Sequence, residues 1–156
     1  MEIKPVNPIQ CGPLTIGDGR LTLIAGPCMA ETLEVCLETA EFLKNLTAEL
    51  NVQYIFKASY DKANRTSNDS KRGPGMERGL EMLAEVKTRF DVPVITDVHE
   101  HEEVPRVAEV ADVLQIPAFL CRQTDLLHAA GESGRAVNIK TVSYTHLRAH
   151  ETLSDL

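Results

Sequence analysis

Basic and hydroxyl-bearing side chains are concentrated in one short stretch of the sequence, from Lys57 to Arg72. This stretch holds five basic and two acidic residues, although the whole chain carries 16 basic and 23 acidic residues. A local cluster of cations in an acidic protein suits a small anionic ligand such as a sugar phosphate, because phosphate oxygens accept strong charge-assisted hydrogen bonds. The alternative is a solvated charged loop that binds nothing. The stretch begins as a strand-like run at residues 56–59, and this ordered start favours the ligand.

Composition and charge exclude several classes of function. The chain has 156 residues, of which 43% are hydrophobic, so we expect one domain with a core. A net charge of −7 and a pI near 5.2 argue against nucleic acid or a membrane surface as the partner. No apolar run reaches spanning length, and the N-terminus lacks the apolar core of a signal peptide. The four cysteines form no CxxC pair and are interpreted as reduced thiols in a cytoplasmic protein: Cys11, Cys28, Cys36 and Cys121.

Strand-like apolar runs alternate with segments of helical periodicity. Strands are predicted at residues 21–26, 54–59, 92–98, 113–118 and 136–140. Helices are predicted at residues 33–50, 76–90 and 124–130, with one further helix that has Pro105 in its first turn. Continuous apolar strands, each followed by a helix, indicate an α/β protein with a parallel sheet.

The positions of the polar residues favour an α/β barrel over a doubly wound sheet. Residues that could do chemistry follow the strands, as they do in a parallel (β/α)8 TIM barrel. A doubly wound sheet also binds ligands at strand ends, but it usually has a glycine-rich phosphate turn, and Gly26-Pro27-Cys28 is not one. A closed barrel takes about 250 residues. We therefore expect a barrel truncated to about its first five strands, within residues 1–140, of which residues 1–20 form an N-terminal extension.

Residues 141–156 match nothing before them in this pattern. They resemble the translation of a sequencing adaptor, so the sequence predicts a non-native tail there. His146 and His150, spaced as zinc ligands often are, carry no meaning under this interpretation.

Seven short motifs resemble the 3-deoxy-D-manno-octulosonate 8-phosphate synthase family. They occur in family order over about residues 21–140, which correspond to the N-terminal half of that enzyme. The motifs are Ile24-Ala25-Gly26-Pro27-Cys28, Phe56-Lys57-Ala58-Ser59, Asp61-Lys62-Ala63-Asn64-Arg65-Thr66-Ser67, Arg72-Gly73-Pro74-Gly75, Ile95-Thr96-Asp97-Val98-His99-Glu100, a run from Gln115 to Asp125, and Val137-Asn138-Ile139-Lys140. The related heptulosonate 7-phosphate synthase of the aromatic pathway typically has Lys-Pro-Arg-Thr-Ser in its loop, and the loop of this chain differs from it.

The resemblance implies a transferase that condenses phosphoenolpyruvate with D-arabinose 5-phosphate and releases phosphate, in lipopolysaccharide precursor synthesis. Two polyanions must then share one pocket, which requires several fixed cations. Family residues that contact phosphoenolpyruvate match Lys57, Ser59, Gln115, Ala118 and Lys140. Those on the pentose phosphate side match Lys62, Asn64, Arg65 and Thr66. Five of the matched residues form the expected catalytic set: Lys57, Lys62, Asn64, Asp97 and Lys140.

Cys28 and His99 are the candidates for a metal role. A free cysteine is most often a small buried hydrophobic residue. The resemblance, however, implies a divalent metal bound in part by Cys28, because the family has cysteine here in its metal-dependent enzymes and asparagine in the others. The remaining ligands, a histidine and two acids, are expected on later strands. His99 shares a face with Asp97 and is expected to line the pocket as a substrate-binding residue rather than to bind metal, while His101 falls in the following loop or helix cap.

The resemblance also implies a cytoplasmic homotetramer in a Gram-negative bacterium. Two alternatives to the octulosonate synthase remain open. One is the heptulosonate synthase, and the other is an inactive half-barrel that binds sugar phosphates or is purely structural. The chain alone is expected to be inactive.

Overall fold

Strands and helices alternate through residues 7–63 and 72–140, which are the residues that the computed structural model describes. The strands are β1 (Ile9–Cys11), β2 (Leu14–Ile16), β3 (Thr22–Ala25), β4 (Gln53–Lys57), β5 (Val94–Asp97), β6 (Val113–Ile116) and β7 (Ala136–Ile139). The helices are α1 (Leu33–Glu49), α2 (Met76–Phe90), α3 (Val104–Ala108) and α4 (Thr124–Glu132), with 3-10 turns at His101–Glu103 and Ala118–Leu120. None of these helices is both long and apolar enough to cross a bilayer.

Strands β3 to β7 form one curled sheet in which every neighbouring pair is parallel and the spatial order follows the chain order. Helices α1, α2, α3 and α4 follow β3, β4, β5 and β6 in the sequence. The predicted parallel α/β sheet of five strands is thus confirmed, with strand ends that differ from the predicted ones by up to two residues. The prediction of Pro105 in the first turn of a helix is also confirmed.

Alternate residues of each strand face different surroundings, because successive side chains of a strand point to opposite faces. Tyr54 and Phe56 of β4 belong to the large core cluster beneath α1 and α2. Ile55, on the opposite face, belongs to a second cluster with Ile95 and Val113. The inner face therefore has its own apolar layer. Polar side chains lie on the same face, nearer the carboxyl ends of the strands.

The N-terminal hairpin of β1 and β2 closes the amino end of this inner layer, a feature that the sequence interpretation missed. Cys11 is fully buried in the inner cluster, with Leu14 and Ile16 packed beside it. The hairpin is also anchored by Gln53, whose Nε2 donates to the carbonyl of Thr15 at 3.1 Å. Residues Cys11, Leu14 and Ile16, within the expected N-terminal extension, thus contribute to the core.

Gly26 allows the chain leaving β3 to pass directly against the end of β4. A Cβ at position 26 would overlap the carbonyl oxygen of Lys57 and lie 2.9 Å from its carbonyl carbon. Because both atoms belong to the backbone, no side-chain rotation could relieve the overlap. The glycine therefore fixes the position of the strand end that carries Lys57.

We expect Gly26→Ala to lower the free energy of unfolding by about 1–3 kcal/mol, the usual cost of overpacking. Gly131→Ala is the matched control, since a Cβ there would meet nothing within 4 Å. It lies in α4, so the control should be neutral or stabilising by up to about 1 kcal/mol. Urea unfolding of the three proteins measures both effects, and equal midpoints for Gly26→Ala and the unchanged protein would contradict the packing described here.

Candidate active site

The carboxyl ends of three neighbouring strands bring together the polar residues of the inner face. Lys57 ends β4 and Asp97 ends β5, and Gln115 lies opposite Asp97 on β6. The side chains of all three residues point to the inner face of the sheet, like those of the apolar layer below them. Parallel pairing places their side chains at one edge of the sheet, as the sequence predicted for residues that follow the strands.

Asp97 is the centre of this group. Its side chain is largely buried, and Oδ2 accepts a hydrogen bond from the Ser59 hydroxyl and lies 3.4 Å from Lys57 Nζ. Its other oxygen, Oδ1, accepts a hydrogen bond from the Gln115 amide. Burial raises the pKa of the Asp97 carboxyl, but these hydrogen bonds and the neighbouring lysine charges outweigh burial and leave the pKa below its ordinary value. Asp97 is therefore held as an anion that accepts hydrogen bonds.

Lys57 is the cation most closely coupled to Asp97. Besides Asp97, its Nζ contacts the Ser59 hydroxyl at 3.0 Å. Burial lowers the pKa of the Lys57 ammonium, Asp97 raises it, and the nearby charges of Lys62 and Lys140 lower it, so that the net pKa lies below the usual lysine value. Lys57 forms an ion pair with the buried carboxylate, and the ammonium groups of Lys62 and Lys140 lie near enough to act on Lys57, which leaves a local excess of positive charge.

A recess of about 190 Å³ opens above this cluster. It is lined by Lys57, Asp61, Lys62, Asp97, His99, Pro117, Ala118, Phe119 and Lys140. Larger recesses occur elsewhere, including one of about 270 Å³ beside the N-terminal hairpin. In that one the polar groups of Lys44, Thr47 and Gln53 are hydrogen-bonded within the protein. The excess of cations instead identifies the strand-end recess as the candidate site.

Two of the predicted substrate-binding residues lie beneath the recess instead of lining it. Ser59 is fully buried, and its hydroxyl is shared between Asp97, Lys57 and Lys62 Nζ, the last at 2.8 Å. Gln115 is 2% exposed, with its amide directed at Asp97. In this arrangement both side chains orient the charged groups from below. Six of the predicted site residues line the recess: Lys57, Lys62, Asp97, His99, Ala118 and Lys140.

Asn138 is part of this network, although the sequence interpretation gave it no role. Its Nδ2 donates to Gln115 Oε1 at 2.9 Å, which extends the chain of hydrogen bonds from β5 through β6 to β7. A signal was present in the sequence, because Asn138 has the same parity as Lys140 on one predicted strand.

His99 stands in the wall of the recess with its ring packed edge-on against Tyr60, at 5.7 Å between centroids. Glu103 fixes the positions of both residues. One of its carboxylate oxygens accepts hydrogen bonds from the Tyr60 hydroxyl at 2.7 Å and from the His99 backbone amide at 2.9 Å. His99 Nδ1 is buried, lies 3.8 Å from the same carboxylate and has no hydrogen-bond partner within the described part of the chain. Glu103 was not anticipated from the sequence. His101, as expected, lies in the short helical turn that follows.

Cys28 lies just after β3 and is exposed, whereas Cys11 and Cys36 are fully buried and Cys121 is half-buried. Cys11 and Cys36 are therefore packed as small buried hydrophobic residues. Within residues 7–63 and 72–140, no three His, Cys, Asp or Glu side chains converge in a way that could hold a metal ion. One cysteine does not make a metal site, so the described residues do not by themselves fit a bound metal.

Three predicted site residues, Asn64, Arg65 and Thr66, lie outside the described residues, as does the predicted tail at 141–156. The described residues on either side of 64–71 are hydrogen-bonded to each other. Arg72 Nε donates to Asp61 at 3.0 Å, and the Lys62 amide donates to the carbonyl of Arg72 at 2.7 Å. The basic stretch noted in the sequence therefore begins and ends beside the recess.

The amino-acid sequence that forms this sheet matches a known family. Residues 5–152 match the model of the DAHP synthetase I family, and the chain belongs to that family.

Curated relatives in this family are named 2-dehydro-3-deoxyphosphooctonate aldolase. The protein of Fusobacterium nucleatum subsp. nucleatum is 56% identical over 141 residues, covering 90% of this chain and 51% of the relative. That of Azoarcus sp. is 58% identical over 123 residues, covering 79% and 44%. That of Desulfatibacillum aliphaticivorans is 59% identical over 120 residues, covering 77% and 44%. The resemblance seen in the motifs is thereby confirmed, and the chain spans about half the length of the curated relatives it matches.

Glu103→Gln should destabilise the protein at pH 7 by about 1.5–3 kcal/mol, the range for hydrogen bonds to a charged group. Burial raises the pKa of the Glu103 carboxyl, but contacts with His99 and Tyr60 more than offset this and lower the pKa to about 2. A depressed carboxyl pKa stabilises the folded state above the unfolded pKa, and this stabilisation is lost as the pH falls through the folded pKa. The difference between the two proteins should therefore shrink from about pH 4.5 downward to about pH 2.

Urea unfolding at a series of pH values measures this difference. The neighbouring Glu102→Gln is the matched control, because the Glu102 side chain is 71% exposed and pairs only with His101 among the described residues. The role given to Glu103 would be contradicted if the difference in the free energy of unfolding between Glu103→Gln and the unchanged protein stayed constant from pH 7 to pH 2.

Proposed function

We propose that this chain provides part of the active site of a 3-deoxy-D-manno-octulosonate 8-phosphate synthase. The reaction joins phosphoenolpyruvate to D-arabinose 5-phosphate and releases inorganic phosphate, in the synthesis of a lipopolysaccharide precursor. The observation that carries this proposal is the group of Lys57, Lys62 and Lys140 around one buried aspartate in the strand-end recess. The names of the curated relatives support it.

The chemistry requires two phosphorylated molecules to meet in one pocket. The vinyl carbon of phosphoenolpyruvate forms a carbon–carbon bond to the aldehyde carbon of the sugar, and the aldehyde oxygen takes up a proton. Water adds at the former enol carbon, and phosphate leaves as that carbon becomes a ketone. Each substrate carries several negative charges, so their approach is repulsive unless fixed cations offset it.

Different lysines of the recess would bind the two substrates. Lys57 and Lys140 would hold phosphoenolpyruvate, and Lys62 would hold the aldose phosphate together with Arg65 and Thr66. Asn64 would take part on the same side. The burial of Lys57 strengthens its interaction with an incoming anion, because less water screens the charge.

Asp97 would act as a hydrogen-bond acceptor in this reaction. The pKa of its carboxyl lies below the ordinary aspartate value, so the group is ionised at neutral pH and poorly suited to donate a proton. It is suited to fix the Lys57 ammonium from below and to accept a hydrogen bond from a sugar hydroxyl above. His99 would form the adjoining wall.

We further propose that the five-stranded sheet is part of an eight-stranded (β/α)8 barrel. Leu23 and Ile24 on the edge strand β3 are exposed, as are Phe42 and Leu50 at the surface of α1 and its end. These are the residues against which a further strand and helix of a closed barrel would pack. The homotetramer and the cytoplasmic location remain predictions from the family resemblance.

A product assay tests the function directly. The protein as its gene encodes it is incubated with phosphoenolpyruvate and either arabinose 5-phosphate or erythrose 4-phosphate, and phosphate release and sugar acid formation are measured. We expect product with the pentose phosphate. Product only with the tetrose phosphate would favour the heptulosonate synthase, and binding of both substrates without product would favour the inactive half-barrel.

Arg65→Ala and Lys140→Ala should each weaken the binding of a different substrate. Charge-assisted hydrogen bonds to phosphate contribute about 1.5–3 kcal/mol, so each loss should raise one KM by about 10-fold to 100-fold. Arg65→Ala should act on the KM for arabinose 5-phosphate, and Lys140→Ala on that for phosphoenolpyruvate. Arg89→Ala, near the end of α2 and so away from the carboxyl ends of the strands, should change neither. Equal losses for both substrates would mean that the two phosphate positions are assigned wrongly.

The metal dependence is proposed on the family resemblance through Cys28, with the remaining ligands outside the described residues. Cys28→Ala should abolish metal-supported turnover, and Cys28→Asn should lower the dependence on metal, because a thiolate is a strong ligand for soft and borderline cations. Metal content and activity are measured before and after treatment with a chelator. Activity of the unchanged enzyme that does not respond to the chelator would contradict this assignment.

A further inference from the structure

Asn138 lies one strand beyond Gln115 in the row of inward-facing polar side chains. We propose that Asn138 is a positioning residue that orients the Asp97 carboxylate through the Gln115 amide. This proposal rests on the proposed function only for its effect on turnover, since the orientation itself is a property of the folded chain.

The register of the sheet aligns the three residues. Asp97 of β5 is paired with Gln115 of β6, and Gln115 is paired with Asn138 of β7. Because paired residues of neighbouring strands project to the same side at the same level, the three side chains form one row. The row is connected at both steps, by the hydrogen bond from Gln115 to Asp97 and by the 2.9 Å bond from Asn138 to Gln115.

The direction of these hydrogen bonds is set by Asp97 at one end of the row, because the Asn138 amide at the other end can either donate or accept. An ionised carboxylate can only accept, so Gln115 must turn its NH2 group toward Asp97. The carbonyl oxygen of Gln115 then faces β7 and needs a donor. Asn138 provides that donor with its own NH2 group.

Burial makes a reversed Gln115 amide costly. Gln115 is 2% exposed and Asp97 is 8% exposed, so little water can reach either. A reversed amide would set its oxygen against the Asp97 oxygen and leave a buried NH2 group facing β7. An unsatisfied buried polar group of this kind is strongly unfavourable. Asn138 therefore stabilises one of the two orientations that the nearly symmetric amide could adopt.

The orientation of Gln115 decides which oxygen of Asp97 is available to the rest of the site. Oδ1 is occupied by Gln115, which leaves Oδ2 for Lys57 and the Ser59 hydroxyl. If Gln115 no longer donated, the carboxylate could turn to find another donor, and Lys57 would lose its fixed partner. Asn138 thus acts on the substrate-facing lysine through two intermediate side chains, without contacting substrate itself.

Asn138→Asp tests this proposal because it replaces a donor by an acceptor of almost the same size. Nuclear magnetic resonance of the Gln115 side-chain amide is the direct measurement. In the protein as its gene encodes it, we expect the Gln115 NH2 signals to shift and to exchange with water at least about 10-fold faster in the variant. We expect kcat/KM to fall about 10-fold to 100-fold, as for the loss of a buried hydrogen bond. Asn51→Asp, which makes the same change at the opposite end of β4, should alter neither quantity.

A folded Asn138→Asp protein with an unchanged Gln115 amide signal would overturn the proposal. If that variant does not fold, two further measurements decide. Asn138→Ser keeps a donor and should retain the Gln115 signal pattern, and in the unchanged protein the Gln115 and Asn138 side-chain amides should both be protected from exchange. Averaged, rapidly exchanging signals from these amides would overturn the proposal. The amide signals remain readable even if neither aldose phosphate gives product, so a failure of the proposed function is distinguishable from a failure of this inference.

Discussion

The buried carboxylate of Asp97 is the constraint on which the organisation of the site depends. An anion that is only 8% exposed is stable only if its oxygens are satisfied, and here Ser59, Lys57 and Gln115 satisfy them. These partners come from the end of β4, the loop after it and β6, so the carboxylate fixes the relative positions of those elements. The close approach at Gly26, which only a residue without a side chain permits, places the chain leaving β3 against the same end of β4.

Positive charge exceeds negative charge around Asp97, and this excess makes the recess suited to an anionic ligand. Lys57, Lys62 and Lys140 surround a single anion, and the other nearby acid, Asp61, is paired with Arg72. The mutual repulsion of the ammonium groups contributes to lowering the pKa of Lys57. A polyanion that entered the recess would relieve this repulsion, which supports the proposal that phosphorylated molecules bind there.

Much of this arrangement could be predicted from the sequence, because it follows from periodicity. The alternation of side chains along β4 is enough to put Lys57 on the inner face. The parallel order of the strands follows from their apolar runs and from the helices between them. The hairpin of β1 and β2 could not be predicted in this way, because its three-residue strands are too short to show alternation. Its turn at Gly12-Pro13 was the one available signal. Glu103 and Asn138 were missed for another reason, since each acts through another side chain and such contacts depend on register and burial.

The most direct test is a titration of the Asp97 carboxyl by carbon-13 nuclear magnetic resonance in the protein without substrate. We expect Asp97 to stay ionised as the pH falls and to protonate only below the ordinary aspartate value of 3.8. We also expect the Asp97 pKa to rise in Gln115→Leu, which removes one of the three side-chain hydrogen bonds that the anion accepts. An Asp97 that protonates at or above the ordinary value in the unchanged protein would contradict the central claim that a buried, hydrogen-bonded anion organises the site.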